Sequence, residues 1–371
     1  MALYVGVMSG TSVDGIDTAL LDITPGNTPK LIAAQTLDYP VEIQQAIHNL
    51  IKDQHCSLQA LGDLDMALGH LYADAVIALL DQANCPAENV SAIGCHGQTI
   101  FHSPESPHPF SMQIGNANPI VERTGINTVV DIRQRDMVCG GQGAPMVPGF
   151  HEIMFRDDSE NRVIVNIGGI ANITILPSDP QQAIQGFDTG PGNTLMDSWI
   201  NQYQSKRFDA NGDWAATGNV QSALLETLLN DDYFALPPPK SSGRELFHLP
   251  WLKAALAKHA DNFKAEDIQA TLLTLTAKSI ADAVLTHASN TQRVIICGGG
   301  AHNSALIKAI QHLLPDIQVD TTDQHGLSAD LVEASAFAWL ACQTMNHQTG
   351  SIASVTGAKH DSILGGIYWS R

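Results

Sequence analysis

The stretch Leu3-Tyr-Val-Gly-Val-Met8, Ser9-Gly-Thr-Ser-Val-Asp-Gly15, Ile16-Asp-Thr-Ala-Leu-Leu-Asp-Ile23 decides the fold. A short apolar run, a polar turn with two glycines and a second strand-like run predict strand, tight loop, strand. The same layout returns at Arg162-Val-Ile-Val-Asn-Ile167, Gly168-Gly-Ile-Ala-Asn172 and Ile173-Thr-Ile-Leu176. The two loops lie a little under half a chain length apart in 371 residues, which reads as an internal duplication. Two similar halves are expected to face each other.

Working outward, the pattern predicts helices over 41–52 and 57–83, a strand over 90–94 and another over 126–132. In the second half it predicts helices over 193–202, 251–259, 268–288, 303–314 and 329–345. Strands are expected over 293–297 and 317–319. Strands alternating with helices give an α/β class. The Gly- and Ser-rich last twenty residues are expected to return to the first domain.

Hydrophobic residues make up 44% of the chain and charged residues 15%, enough apolar supply for two sizeable cores. The balance of 19 Lys+Arg against 38 Asp+Glu, a formal charge of −19, opposes a phosphate-tracking surface. Nucleic acid is therefore not an expected partner, and neither is an anionic membrane. No run of about 18 uncharged apolar residues stands out, and no basic leader opens the chain. The cytoplasm is the expected location. Any phosphates would be held by backbone N–H groups, a few arginines and a divalent cation.

Six motifs carry candidate chemistry. In Gly10-Thr11-Ser12-Val13-Asp14-Gly15-Ile16-Asp17, glycines permit tight turning, and successive N–H groups with two hydroxyls suit an anion-binding nest. Asp14 stands where it could hold a hydrated Mg²⁺; an ordinary hairpin turn is the competing reading. Gly168, Gly169 and Asn172 form the equivalent loop of the second half. In Gly186-Phe-Asp188-Thr-Gly-Pro-Gly-Asn193, Asp188 sits near a strand end and a helix start, placed for general-base or metal work unless it merely caps the helix.

Gly298, Gly299, Gly300 and Asn303 follow a buried strand and suit a wall for adenine or ribose. A dinucleotide fold with Asp320 on the ribose is the rival there, although Asn303 replaces the third glycine of that fingerprint. His96, Gln98 and Arg133 offer donors for sugar hydroxyls or a carboxylate, and zinc does not fit the six-residue spacing of His96, His102 and His108. Finally, the helix after Ala329 is apolar nearly all round and so buried. Its Glu333 is expected to point into a cleft.

Together, the paired loops, Asp188 and the late glycine turn resemble the sugar kinase, Hsp70 and actin superfamily. More narrowly, Met8-Ser-Gly-Thr-Ser-Val-Asp-Gly-Ile-Asp17, His96-Gly-Gln-Thr99, Gly140-Gly-Gln-Gly-Ala-Pro145, Asn166-Ile-Gly-Gly-Ile-Ala-Asn172 and Phe187-Asp-Thr-Gly-Pro-Gly-Asn193 are similar to the anhydro-N-acetylmuramic acid kinase family. The resemblance runs from residue 3 to about residue 366. It implies two duplicated actin-like (ribonuclease H-like) domains with mixed sheets flanked by helices and an interdomain cleft. The expected domains are 1–155 plus 348–371, and 156–347.

It also implies ATP and Mg²⁺ as cofactors, and a substrate whose 1,6-anhydro ring is opened by water while O6 is phosphorylated, in cell-wall recycling. By the same resemblance Asp188 is the base and Glu333 orients water or sugar. The segment Gly10 to Asp17 holds phosphates and Mg²⁺, with Asp14 as the metal residue, and Gly298 to Asn303 borders the adenosine. His96, Gln98 and Arg133 are the candidate sugar residues, and a homodimer stays open. The alternatives are a kinase of another sugar on the same scaffold, a non-enzymatic actin-like ATP switch and a dinucleotide-dependent oxidoreductase.

Overall fold

A computed structural model describes residues 2–10, 12–243, 246–260 and 263–371. The chain divides into two compact units, Met1–Met154 with Leu331–Arg371, and Phe155–Asp330.

The sheet of the first unit is ordered β13-β7-β4-β1-β2-β3. Its strands are β1 (Leu3–Met8), β2 (Ile16–Asp22), β3 (Lys30–Leu37), β4 (Val90–Cys95), β7 (Thr128–Val130) and β13 (Gly366–Tyr368). A separate antiparallel pair, β5 (Gln98–Ser103) and β6 (Phe110–Ile114), stands beside it. All six residues of β1 are buried, and its two faces do different work because successive side chains alternate. Leu3, Val5 and Val7 join a core with Leu68, Tyr72 and Val76 of the helix Leu58–Gln82. On the other face Gly6 lies against the backbone of the helix Val332–Met345.

The second unit holds β8 (Arg162–Ile167), β9 (Ile170–Leu176), β10 (Gln185–Pro191), β11 (Arg293–Cys297) and β12 (Gln318–Thr321), ordered β10-β9-β8-β11-β12. The orders β3-β2-β1-β4-β7 and β10-β9-β8-β11-β12 match in sequence logic and in sense: two antiparallel junctions followed by two parallel ones. The duplication expected from two short stretches is thus present in both sheets, and β13 is an addition to the first. This is the doubled actin-like architecture.

Two expectations need correction. The boundary placed after residue 347 falls after residue 330, because the helix Val332–Met345 packs on β1 and β4. The strand expected over 126–132 is only Thr128–Val130, because Asp131 turns left-handed at φ 57° and opens the helix Ile132–Val138. One helix, Ala265–His287, is long and apolar enough by composition to cross a membrane, although it is no uncharged run, since Lys278 and Asp282 interrupt it. Most of that stretch is buried in the second unit, where Leu272, Leu275, Ile280 and Val284 form its core.

Candidate active site

In the first unit the β1–β2 loop is braced from below. Val13 is left-handed at φ 55°, an uncommon conformation for a β-branched residue and one a loop holds only under restraint. Its N–H donates to Gly10 O at 3.2 Å, and its carbonyl accepts from Gln44 Nε2 at 2.6 Å. Ser9 Oγ donates to Gln98 Oε1 at 2.6 Å, and Tyr39 OH donates to Ser9 Oγ at 2.7 Å. The Gln98 amide reaches Gly10 O and Thr99 O. Gln98 is wholly buried with both ends of its amide spent on this loop. It is a strut of the loop and not, as expected, a donor facing the sugar. Thr11 lies outside the described residues.

Ser12 and Asp14 are exposed, and Ser12 Oγ donates to Asp14 Oδ1 at 2.8 Å. Val13, Gly15 and Ile16 are buried, so they shape the loop rather than its surface. Half-buried Asp17 accepts from Thr36 Oγ1 at 2.6 Å.

The next layer is His96 and Arg133. Arg133 Nε donates to His96 Nε2 at 2.9 Å, so that nitrogen is the acceptor and the ring proton sits on Nδ1, 3.2 Å from Ser9 O. Burial, reinforced by the Arg133 charge, depresses His96 to about 3, and the imidazole is neutral at every physiological pH. Arg133 Nη1 donates to Gly143 O at 2.7 Å, leaving Nη2 without a hydrogen-bond partner among the described residues. Arg133 faces Glu333 and Asp136 electrostatically. Burial raises the Glu333 carboxyl above the ordinary carboxylate range; Arg133 opposes the shift, while Asp17 and Asp14 add to it. Glu333 therefore shares one electrostatic neighbourhood with the loop carboxylates and Arg133, whereas His96, like Gln98, supports more than it presents.

Burial also drives His151, in the same unit, to about 3. Both histidines are neutral when folded but protonate near 6.5 when unfolded. The unfolded chain therefore binds more protons below pH 6.5, and folding stability is lost as pH falls from there toward 3. Each site contributes about 1.4 kcal/mol per pH unit inside that window. We expect the urea midpoint of the protein to fall between pH 6.5 and 4.5, and His151→Gln to lower the slope. A midpoint that is flat across that range would contradict neutral buried imidazoles.

In the second unit, Asn166 of β8, Asn172 of β9 and Asp188 of β10 stand in register as a polar row. Asn172 is thus a strand residue, because β9 already starts at Ile170. The turn itself is only Gly168-Gly169. The carbonyls of Gly168 and Gly169 accept from Gly192, Asn193 and Thr194 N–H at 2.8–3.1 Å, so the approach to the helix Thr194–Gln204 and its first amide are tied to the hairpin. Gly192 has to be glycine, since a Cβ there would lie 2.3 Å from Gly168 O.

Asp188 does not cap that helix. Its Oδ2 accepts from Ser242 N–H at 2.8 Å, and it is half-buried on the edge strand. Nearby in the sheet, Gly298 is left-handed at φ 78°, and a Cβ on it would strike Asn166 Oδ1 at 2.4 Å. Gly299 is exposed, Gly300 is buried against Ile167, and Asn303 caps the helix Ser304–Leu313 through Leu306 N–H at 3.0 Å. The Asn303 Oδ1 is thus spent on the helix cap. The rival use of Asp320 on a ribose fails, because Asp320 is held by Arg293 and His325. Sequence reasoning missed Tyr233, Lys240 and Ser242, which surround Asp188. Only the Pro237-Pro-Pro-Lys-Ser-Ser-Gly243 interruption could have drawn attention to them.

Compared with known families, residues 2–370 match the model for anhydro-N-acetylmuramic acid kinase. The chain belongs to the anhydro-N-acetylmuramic acid kinase family. A curated kinase of that name from Pasteurella multocida is 50% identical over 98% of this chain and 96% of its own. One from Saccharophagus degradans is 49% identical over 99% of both chains, and one from Coxiella burnetii 48% identical over 99% of this chain and 98% of its own. Among solved structures, a 2-hydroxyisocaproyl-CoA dehydratase activator from Clostridium difficile aligns with TM-score 0.47 and 13% identity over 93% of this chain and 96% of that one. As a member of the anhydro-N-acetylmuramic acid kinase family the chain is a phosphotransferase, and kinase membership implies use of ATP.

Proposed function

We propose that the protein uses ATP and water to open the 1,6-anhydro ring of anhydro-N-acetylmuramic acid and phosphorylate O6, in cell-wall recycling. The observation that carries this reading is the family match across residues 2–370, with 48–50% identity to curated kinases of that sugar. The chemistry joins two reactions. Water attacks the anomeric carbon as in glycoside hydrolysis, with Asp188 accepting its proton, and the C1–O6 bond breaks. The departing O6 forms a bond to the γ-phosphorus, whose bond to the bridging oxygen of ADP breaks. The products are the 6-phosphorylated ring-opened sugar and ADP.

Arg133 Nη2 is the cationic donor for the sugar, and Glu333, whose raised affinity for a proton suits it to donate as well as accept, orients water or sugar. The loop from Gly10 to Asp17 and the Gly168-Gly169 turn approach the phosphates, while Gly298 and Gly299 border the adenosine. Mg²⁺ suits this loop. The Asp14 and Asp17 carboxylates both bear on Glu333, and Mg²⁺ takes one or two carboxylates together with phosphate oxygens and waters. Asp14, exposed and oriented by Ser12, would hold it; the ion supplies neutralisation of phosphate charge when bound. The protein acts in the cytoplasm on this reading.

The test is product analysis in ¹⁸O-labelled water. The expected product carries one phosphoryl group and one ¹⁸O on the anomeric carbon, with no label in the phosphate. A product heavier by phosphate alone, or turnover of ordinary hexoses in preference, would reject the proposal in favour of another sugar kinase.

A further inference from the structure

The base Asp188 lies on β10, the outer strand of its sheet, whose ladder runs on one side only, to β9. The outer side is filled by the segment 233–242. Asp188 N–H donates to Lys240 O at 3.0 Å, as a neighbouring strand would arrange. The return bond is not ladder-like. Asp188 O accepts instead from the Tyr233 hydroxyl at 2.7 Å, and the Ser242 N–H, released from that duty, donates to Asp188 Oδ2 at 2.8 Å. A phenol thus replaces a strand amide, and the amide is redirected onto the carboxylate.

Lys240 holds this arrangement together. Its Nζ donates to Tyr233 O at 3.2 Å, at the short helix Asp232–Ala235, and stands 4.6 Å from the centre of the Tyr233 ring. Its charge is also felt by Asp188. Tyr233 is almost fully buried against Phe234 and Phe247, so the hydroxyl is fixed in place.

We infer that Tyr233, Lys240 and Ser242 form a positioning clamp that aims the Asp188 carboxylate and keeps it ionised for proton abstraction. The inference rests on the reading of Asp188 as the base. A hydrogen bond to the charged form and a nearby cation both favour the carboxylate, so loss of either raises the pH at which activity sets in. Among the described residues, the titratable and charged groups around this carboxylate include Lys240 and Tyr233, with His287 next to Lys240.

The experiment measures kcat, KM for both substrates and the acid limb of kcat against pH for Ser242→Pro, which deletes the N–H, and for Tyr233→Phe, Lys240→Met and Lys240→Arg. We expect Ser242→Pro and Lys240→Met to lower kcat roughly 10- to 100-fold with KM for ATP within about twofold, and to move the acid limb upward. Lys240→Arg should restore the limb. If Ser242→Pro does not fold, Tyr233→Phe and Lys240→Met decide alone. Wild-type kcat and an unmoved acid limb in these two overturn the clamp. Asp188→Asn run alongside separates the failures: if it is inactive while the clamp variants are normal, only the clamp is wrong, and if it is active, the reading of Asp188 itself is wrong.

Discussion

Asp188→Asn is expected to lower turnover by a factor on the order of 10²–10⁴, the range for removal of a general base, or about 3–5 kcal/mol of barrier. Folding and ATP affinity should stay near wild type. The substitution keeps the shape of the side chain, and the amide oxygen can still accept from Ser242 N–H, which now holds Asp188 Oδ2 at 2.8 Å. The main-chain bonds to Lys240 and Tyr233 are untouched. What is lost is the basicity that takes a proton from water. Calorimetric unfolding and ATP titration establish that the variant is intact, and single-turnover product formation measures the chemical step. Turnover within a few-fold of wild type would remove Asp188 from the proposed mechanism.

The sequence made the hairpins legible because a β-strand announces itself through short apolar runs, and both loops carry glycines at their bends. β1 is found over the predicted residues Leu3–Met8 and β8 over Arg162–Ile167. Other features resisted for physical reasons. The helix Val332–Met345 is buried nearly all round, and such a helix shows no preferred face to say which sheet it covers, so the pattern places Glu333 in the second unit whereas it lies in the first. Gln98 and His96 stand beside glycines, as ligand-binding residues do, yet their polar atoms are spent on Ser9, Gly10 and Arg133. Periodicity contains nothing about such long-range pairings. The same holds for Asp188, whose partners lie 45 and 54 positions away in the chain.

The largest expected effect on stability comes from a glycine pair rather than from the chemistry. Gly6 of β1 and Gly94 of β4 sit side by side in register, and the backbone of Val332–Met345 lies directly on them. A Cβ at Gly6 would fall 1.8 Å from Ala334 O, and one at Gly94 2.0 Å from Phe337 O. No rotamer can relieve either clash, because the obstructing atoms are main chain. Gly6→Ala should therefore cost at the upper end of overpacking, about 3 kcal/mol or more. The helix begins one residue before Glu333, so lifting it by about 1 Å also displaces that carboxylate, a misplacement that can cost 10²-fold in rate. Gly62, exposed in the helix Leu58–Gln82 with open space where a Cβ would go, is the matched control. Gly62→Ala should be neutral or stabilising by roughly 0.5–1 kcal/mol. The double variant Gly6→Ala with Gly94→Ala should destabilise by less than the sum of the two, since one displacement of the helix makes room for both methyl groups. Urea midpoints of these four variants and the wild type test this. A Gly6→Ala midpoint no lower than that of Gly62→Ala would mean that the helix does not rest on the sheet at this pair.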